Sequence, residues 1–261
     1  MTLARRIHPT RYGQVHVRSN DGRGVPLAML HASPRSGAMW EPLQARLTRP
    51  GFAPDRLGYG FSDAPPWAMS LEQCAQSTVD ALMAAGIGSP FDLIGMRTGS
   101  IEAIEIACQF PEHVRRVIVI GLPLFSPEEH QRQLEKYSEQ PLRPVSEGGH
   151  LLGAWRGCFA YRAPPYDLGD VHMRFIEHVL AAHPGAALKA TAGFPIERRL
   201  RALRAPLIVL APHDDIAEQT ARVCPLLRRE DLYLELPDIG PDPVQTATDR
   251  LIEIIHRHAP A

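Results

Sequence analysis

The stretch from residue 91 to residue 123 constrains the fold more than any other part of this sequence. Residues 91–96 form a short apolar run, which is typical of a strand buried on both faces. A turn bounded by glycines follows at residues 95–99, and apolar residues then recur at helical spacing from Ile101. Residues 114–121 form a second apolar, β-branched run. The order strand, tight turn, helix, strand predicts a βαβ unit.

Composition limits the class of protein. The chain has 261 residues, 44% of them hydrophobic, which suits one globular domain with a full core. The net charge of −1 argues against a nucleic-acid-binding surface. The four cysteines form no CxxC pair, so neither a zinc site nor a disulfide framework is predicted. Because residues 1–13 lack an apolar signal core and no stretch could span a bilayer, we expect a cytoplasmic protein without membrane contact.

Other parts of the chain repeat the alternation of strands and helices. Strand-like runs lie at residues 14–18 (edge-like), 27–30, 205–211 and 232–236. Helical spacing is found at residues 39–47, 71–82, with Ser70 as its cap, and 248–258. On the helix that follows residue 99, Glu102 and Glu105 fall opposite the apolar face. The pattern predicts an α/β fold, with a mostly parallel, doubly wound sheet and helices on both faces.

Two motifs carry a resemblance to a known family. The turn GMRTG at residues 95–99 resembles the nucleophile elbow, G-x-S-x-G, of the α/β-hydrolase superfamily. The run FAPDRLGYGFSD at residues 52–63 is similar to the glycine-rich turn that precedes the elbow in that family. The resemblance implies a core of residues 1–123 and 203–261, with a helical lid inserted at residues 124–202.

The chain departs from the family at two positions. Arg97 stands where the family has its nucleophile, and a guanidinium stays protonated and cannot attack a carbonyl. Pro241 follows Gly240 where the family has the general-base histidine, and proline has no titratable group. The retained acid matches Asp214 best, with Asp215 as the other register. We therefore expect a branch of the family that lacks the serine and the terminal histidine.

Three roles are open for Arg97. With the backbone N–H groups of Ser33 and Thr98 it could hold a substrate carboxylate, enolate or phenolate. It could instead pair with Asp214 in a structural ion pair that closes the place where the family has its active site. The third possibility is that its side chain turns outward to solvent. Thr98 is also a candidate displaced nucleophile, although no base for it lies nearby in sequence.

The remaining candidates each have a structural interpretation beside the functional one. His31, at the end of a strand, could be a base, but in the family a histidine here is mostly structural. His150, in the predicted lid, is a candidate replacement base, although surface histidines are commoner. Trp40 could line the pocket, although packing in the core is the commoner role of tryptophan.

Two hypotheses for function follow. The first is a small-molecule enzyme that works without an acyl-enzyme, by water-mediated hydrolysis, lyase, decarboxylase or cyclase chemistry on an anionic or carbonyl substrate. The second is a non-catalytic protein that holds a carboxylate ligand in the pocket. No metal-binding, phosphate-binding or dinucleotide-binding motif is present, so no metal or cofactor is expected. Whether the protein forms a homodimer is left open.

Overall fold

A mixed sheet forms the centre of the protein. The computed structural model describes residues 3–65, 67–136, 142–159 and 167–261. Within these residues the strands are β1 (Ala4–Thr10), β2 (Gly13–Asn20), β3 (Leu27–Leu30), β4 (Gly51–Pro54), β5 (Phe91–Met96), β6 (Val114–Ile120), β7 (Leu207–Pro212) and β8 (Leu232–Leu236). They follow the spatial order β1-β2-β4-β3-β5-β6-β7-β8.

Strand direction confirms the predicted fold class. From β4 to β8 across the sheet every neighbouring pair is parallel, whereas β2 pairs antiparallel with both β1 and β4. The strand predicted at residues 14–18 is confirmed as part of β2, but its predicted position at the edge of the sheet is wrong, because β1 pairs along the outer side of β2. Buried apolar residues pack on both faces of the sheet, as expected for a doubly wound fold.

Helices cover the sheet. They are α1 (Glu41–Gln44), α2 (Leu71–Ala84), α3 (Thr98–Gln109), α4 (Pro127–Lys136), α5 (Gly149–Gly157), α6 (Leu168–Leu180), α7 (Ala186–Ala192), α8 (Ile196–Ala202), α9 (Ala217–Ala221), α10 (Pro243–Thr246) and α11 (Thr248–His258). Short 3₁₀ turns lie at Gly37–Trp40 and Cys224–Leu226. Ser70 caps α2 in a capping box with Gln73, as the sequence predicts. The region predicted as one helix at residues 39–47 is a 3₁₀ turn followed by the short α1.

Two glycines allow α3 to pack against the strands beside it. A Cβ on Gly95 would lie 2.2 Å from the carbonyl oxygen of Gly99, and a Cβ on Gly99 would lie 2.2 Å from the carbonyl oxygen of Leu30. Only glycine leaves room for this approach of backbone to backbone. The hydroxyl of Ser100 then donates to the Gly95 carbonyl at 2.9 Å. The sequence around the turn therefore fixes the start of α3 close to the ends of β3 and β5.

The helices α4 to α8 lie between β6 and β7, in the segment predicted to be a lid. Several hydrogen bonds join this segment to the core: the backbone N–H of Ala182 donates to the Gly58 carbonyl at 2.8 Å, and the Tyr59 hydroxyl donates to the His183 carbonyl at 3.1 Å. Action of the segment as a lid stays a prediction. Among the described residues, no helix is both long enough and apolar enough to span a membrane.

Candidate functional site

Arg97 occupies the sharp turn between β5 and α3. Its backbone has φ 53° and ψ −110°, a left-handed conformation that no other described non-glycine residue adopts. Such a conformation is strained for a residue with a side chain and persists only where the surrounding structure imposes it. Here the backbone N–H of Arg97 donates to the Ile120 carbonyl at 3.0 Å, and its carbonyl accepts from Ser100 at 2.9 Å. The turn is therefore held from both sides.

The Arg97 guanidinium contacts two carboxylates at the end of β7. Nη2 donates to Asp214 Oδ2 at 2.9 Å and to Asp215 Oδ1, and Nη1 donates to Asp215 Oδ2 at 3.4 Å. The Asp214 side chain is 1% exposed, whereas those of Arg97 and Asp215 are 26% and 27% exposed. Both candidates for the retained acid thus contact the same arginine, and the geometry matches the second of the three roles considered for Arg97, an ion pair with Asp214.

Burial controls the titration of Asp214. Loss of solvent raises the pKa of the carboxyl above its usual value, and the nearby Arg97 opposes this without cancelling it. Asp214 Oδ1 also accepts a hydrogen bond from the Ile216 backbone at 3.0 Å. The acid is therefore held in place on one side by backbone and on the other by Arg97.

Ser33 and Thr98 lie against each other beside the turn. The backbone N–H of Ser33 was expected to donate a hydrogen bond to a bound anion. It donates instead to Thr98 Oγ1 at 2.8 Å. The Thr98 hydroxyl donates in turn to Ser33 Oγ at 3.2 Å. The Ser33 N–H is therefore already satisfied within the protein, and a bound anion would have to displace the threonine hydroxyl to reach it.

Sequence reasoning missed the buried network next to this pair. Arg56 Nη1 donates to Ser33 Oγ at 2.9 Å, and Arg56 Nε donates to Glu102 at 2.8 Å. The Thr78 hydroxyl donates to Glu102 at 2.7 Å. The side of α3 that carries Glu102 and Glu105 is buried rather than solvent-facing, because both residues are 1% exposed. Arginines from other elements cover this side of the helix, and helical spacing carries no signal for such long-range ion pairs.

Two of the predicted ligand-binding residues lie in the core. His31 is 1% exposed; its Nδ1–H donates to the Ala32 carbonyl at 3.0 Å, and its Nε2 accepts from the Arg56 backbone at 2.9 Å. Burial, with a contribution from Arg56, lowers the His31 pKa to about 4, so the ring is neutral at neutral pH. Trp40 is fully buried among apolar side chains. Both residues thus take the structural role that the sequence left as their alternative.

A cavity of about 780 Å³ opens at the turn, between the ends of the strands and helices α4 to α7. Five residues from the sequence analysis line it: Ser33, Arg97, Thr98, Asp215 and Pro241. The rest of the wall includes the polar side chains Arg35, Gln133, Arg174, His178, Gln219 and Asp242 and the apolar residues Met39, Met96, Phe125, Leu188 and Ile216.

His150 lies away from this wall. It is not among the described residues that line the cavity, and its Nδ1 accepts a hydrogen bond from the Val145 backbone at 3.3 Å, at the start of α5. The ring therefore closes a local turn. The structure does not bring it to Arg97 or Asp215, and the same holds for His31 and Trp40.

Among the described residues, the cavity wall presents little uncompensated positive charge. Each described arginine on the wall contacts carboxylates: Arg97 as described above, Arg35 with Glu177 and Asp170, and Arg174 with Asp170 and Asp242. Pairing of this kind reduces the attraction that a guanidinium exerts on a further anion. The site therefore combines a largely apolar cavity with cations that already have partners.

Sequence comparison identifies relatives over part of the chain. A stretch of 115 residues is 32% identical to pyrrolizixenacetamide deacetylase from Xenorhabdus hominickii, covering 43% of each protein. A stretch of 107 residues is 31% identical to 2-hydroxymuconate semialdehyde hydrolase from Pseudomonas putida, covering 39% of this chain and 38% of the relative. The matched stretch thus spans about two fifths of the length of these relatives.

Structural comparison covers almost the whole chain at lower identity. The enol-lactonase from Burkholderia xenovorans superposes with a TM-score of 0.77 and 18% identity, over 94% of this chain and 96% of that one. A thermophilic esterase from Thermogutta terrifontis gives a TM-score of 0.74 and 18% identity, over 98% and 97% of the two chains. These likenesses concern the fold. The sequence profile of the alpha/beta hydrolase fold matches residues 25–175, more than half of the chain. This chain therefore belongs to the α/β-hydrolase fold family.

Proposed function

We propose that this chain binds a small organic molecule in the cavity at the β5–α3 turn and forms no covalent acyl-enzyme there. The observation that carries the proposal is the Arg97 cluster, in which the guanidinium at the turn contacts both Asp214 and Asp215. An arginine cannot serve as a nucleophile, because it stays protonated in proteins. The turn that positions a nucleophile in many relatives would here hold an ion pair on the cavity wall.

The other half of the proposal concerns the base. Pro241 lines the cavity and follows Gly240 in the chain, where the resemblance to the family places a Gly-His pair. A proline cannot accept a proton from a nucleophile or return one to a leaving group. On this interpretation the chain belongs to a branch with a degenerate triad, of which only the acid pair Asp214 and Asp215 remains.

We further propose that the bound molecule is uncharged, in contrast to the anionic ligand expected from the sequence. The expectation relied on Arg97 as a free cation and on the N–H groups of Ser33 and Thr98 as free donors. In the structure Arg97 contacts two carboxylates and the Ser33 N–H donates to Thr98. An anion would have to compete with both contacts, whereas an uncharged molecule with an apolar body could use the apolar wall directly.

Asp215 supports a second candidate, which is hydrolysis by an activated water. Its carboxylate lines the cavity and is 27% exposed, so it can meet both solvent and a bound molecule. A carboxylate in such a position can act as general base towards water without a covalent intermediate. The names of relatives such as the 2-hydroxymuconate semialdehyde hydrolase of Pseudomonas putida make hydrolysis the reaction to test first.

Two experiments on the full-length protein test these proposals. A fluorophosphonate probe, which reacts with activated serines, should leave the protein unlabelled; labelling would overturn the claim that no acyl-enzyme forms. Native mass spectrometry after incubation with a metabolite extract should detect a retained small molecule. Leu188→Trp, which fills part of the cavity, should abolish retention, whereas Leu168→Trp, at a site 60% exposed and outside the described wall, should not.

The fate of the retained molecule distinguishes a binding protein from an enzyme. If the retained molecule returns unchanged after prolonged incubation, binding alone is supported. If it is consumed, and Asp215→Asn stops consumption while retaining binding, the water-activating role of Asp215 is supported. Equal retention by wild type and Leu188→Trp would show that the cavity is not the binding site.

A further inference from the structure

Three side chains on the cavity wall keep a buried polar atom without a hydrogen-bond partner among the described residues. They are Arg35 through Nη1, Gln133 through Oε1 and Gln219 through Oε1. Leaving such an atom unpaired is unfavourable, and folded proteins keep few of them. Three such atoms on one wall are therefore candidate hydrogen-bonding positions for a bound molecule.

Arg35 contributes a donor in a fixed position. It lies in the loop after β3, and its side chain is 8% exposed. Nε contacts the Glu177 carboxylate, and Nη2 lies 3.6 Å from Asp170 Oδ1. Glu177 also accepts from the backbone and hydroxyl of Ser36, at 3.0 and 2.6 Å, which fixes the carboxylate. The Nε and Nη2 edge of the guanidinium is thereby fixed, and Nη1 remains as a donor. The positive charge of the guanidinium is already balanced by the Glu177 carboxylate.

Gln219 contributes an acceptor in a fixed position. Its Nε2 donates to Glu129 Oε1 at 2.9 Å. Hydrogen bonds from Arg222 lower the Glu129 pKa to about 2, so this carboxylate is ionised at neutral pH and can only accept. The amide must therefore turn its NH₂ group towards Glu129, which leaves Oε1 as an acceptor. Gln133 follows Glu129 by one turn of α4, and so lies on the same side of that helix.

We propose that Arg35 and Gln219, assisted by Gln133, are the polar binding residues of the cavity, and that its ligand is an uncharged bifunctional molecule. A carbonyl oxygen of the ligand accepts from Arg35 Nη1, and a hydroxyl or amide N–H of the ligand donates to Gln219 Oε1. A carbonyl suits Arg35 better than a carboxylate because Glu177 already balances the positive charge. This inference rests on the proposed binding function and specifies its ligand class.

A set of synthetic probes tests the assignment. We would titrate ω-hydroxy methyl ketones of increasing chain length into the full-length protein by calorimetry. Matched methyl ketones without the hydroxyl, matched alcohols without the carbonyl, and matched ω-hydroxy carboxylates complete the set. For the best chain length, the hydroxy ketone should bind about three- to tenfold more tightly than either monofunctional probe, as expected for one hydrogen bond. It should also bind more tightly than the carboxylate.

Variants then locate each hydrogen bond. Gln219→Leu should remove the preference for the hydroxyl and leave the preference for the carbonyl intact. Gln245→Leu is the matched control, since Gln245 Oε1 is also buried and unpaired but the residue is not among the described lining residues. Arg35→Lys, which keeps a cation beside Glu177, should remove the preference for the carbonyl. If Arg35→Lys does not fold, the carbonyl contact is tested in the wild type alone. The hydroxy ketone must then bind more tightly than the matched alcohol that lacks the carbonyl.

The results that would overturn the inference differ from those that would overturn the proposed function. Tight binding of all probes without preference, or a preference for the hydroxyl that survives Gln219→Leu, would refute the roles assigned here and leave cavity binding intact. Tighter binding of the carboxylate would refute the uncharged class. If none of the probes binds, the assigned ligand class is wrong, whereas retention of a compound from the metabolite extract would still support the proposed function.

Discussion

Two arginine clusters lie close together in this protein and differ in their access to the cavity. The Arg56 cluster consists of His31, Arg56, Thr78 and Glu102, and the Arg97 cluster consists of Arg97, Asp214 and Asp215. They are linked because Ser33, which accepts from Arg56, also hydrogen-bonds Thr98, the neighbour of Arg97 in the chain. The side chains of Arg56 and Glu102 are 4% and 2% exposed, whereas that of Arg97 is 26% exposed.

This difference in exposure gives the two clusters different roles: the Arg56 cluster is a structural framework in the core, and the Arg97 cluster is part of the cavity surface. In the Arg56 cluster all four members are buried, so the ion pair holds the loops after β3 and β4 against α3. In the Arg97 cluster the same chemistry forms part of the cavity wall, where solvent or a ligand can compete with it. Burial therefore decides how much each cluster contributes to stability and how easily it can change partners.

The largest expected effect comes from breaking the buried pair. Glu102→Ala leaves the Arg56 guanidinium buried without its carboxylate, and we expect a loss of about 3–5 kcal/mol in the free energy of unfolding. Urea denaturation followed by circular dichroism measures the change. Glu253→Ala is the control, because Glu253 forms an exposed pair with Arg250 and its loss should cost less than about 1 kcal/mol. Equal effects of the two substitutions would contradict the framework role.

The next effect is a pH dependence carried by His31. Its pKa is about 4 in the folded protein against 6.5 for an unperturbed histidine, so the unfolded chain binds the proton more readily. Stability from this group is complete above pH 6.5 and is lost as pH falls through about 4, by about 3 kcal/mol in total. His31→Gln should remove this contribution to the slope of unfolding free energy against pH. A slope unchanged by the substitution would show that His31 does not titrate as its burial requires.

The sequence predicts the fold better than the site because the two depend on different ranges of interaction. The runs at residues 91–96 and 114–121 form β5 and β6, and the glycines around Arg97 form the turn, because strand burial and tight turns are encoded locally. The first strand was missed, since residues 4–10 are mostly solvent-facing and lack a continuous apolar run. Helices α4 to α8 fall in the segment that the resemblance places at residues 124–202, although their packing is not predictable from the sequence.

The polar contacts of the site depend on residues far apart in the chain. The pairing of Arg97 with Asp214 stood among three alternatives, and only the position of β7 beside β6 brings the partners together. Arg56 and Glu102 are separated by 46 residues, and no periodicity links them. The sequence does not single out Arg35 and Gln219, because an unpaired polar atom can be identified only when all other contacts are known.

The Arg97 cluster should respond to substitution less strongly than the Arg56 cluster. Arg97→Ala leaves Asp214 buried without its cation, and we expect a loss of about 1–2 kcal/mol at neutral pH, since Arg97 is partly exposed. The pKa of Asp214 is already raised by burial, and removal of Arg97 should raise it further. The folded state then holds the proton more tightly, so the deficit of the variant should shrink as the pH is lowered towards 4.

Companion variants separate charge from backbone strain at residue 97. The double variant Arg97→Ala with Asp214→Asn should recover most of the loss, because no unpaired carboxylate remains. Arg97→Gly should be more stable than Arg97→Ala by up to about 1 kcal/mol, because glycine tolerates the positive φ. A deficit in Arg97→Ala that is the same at all pH values would argue against the buried carboxylate as its cause.

The smallest effect concerns the link between the two clusters. Thr98→Val preserves the side-chain shape and removes the oxygen that accepts from the Ser33 N–H at 2.8 Å, so we expect a loss of about 1 kcal/mol. Thr98→Ser keeps the oxygen and should lose less. Hydrogen exchange gives the sharper measurement, because the Ser33 amide should exchange faster in Thr98→Val, while amides in β5 should not change. If the Ser33 amide keeps its protection, the Thr98 hydroxyl is not the group that protects it.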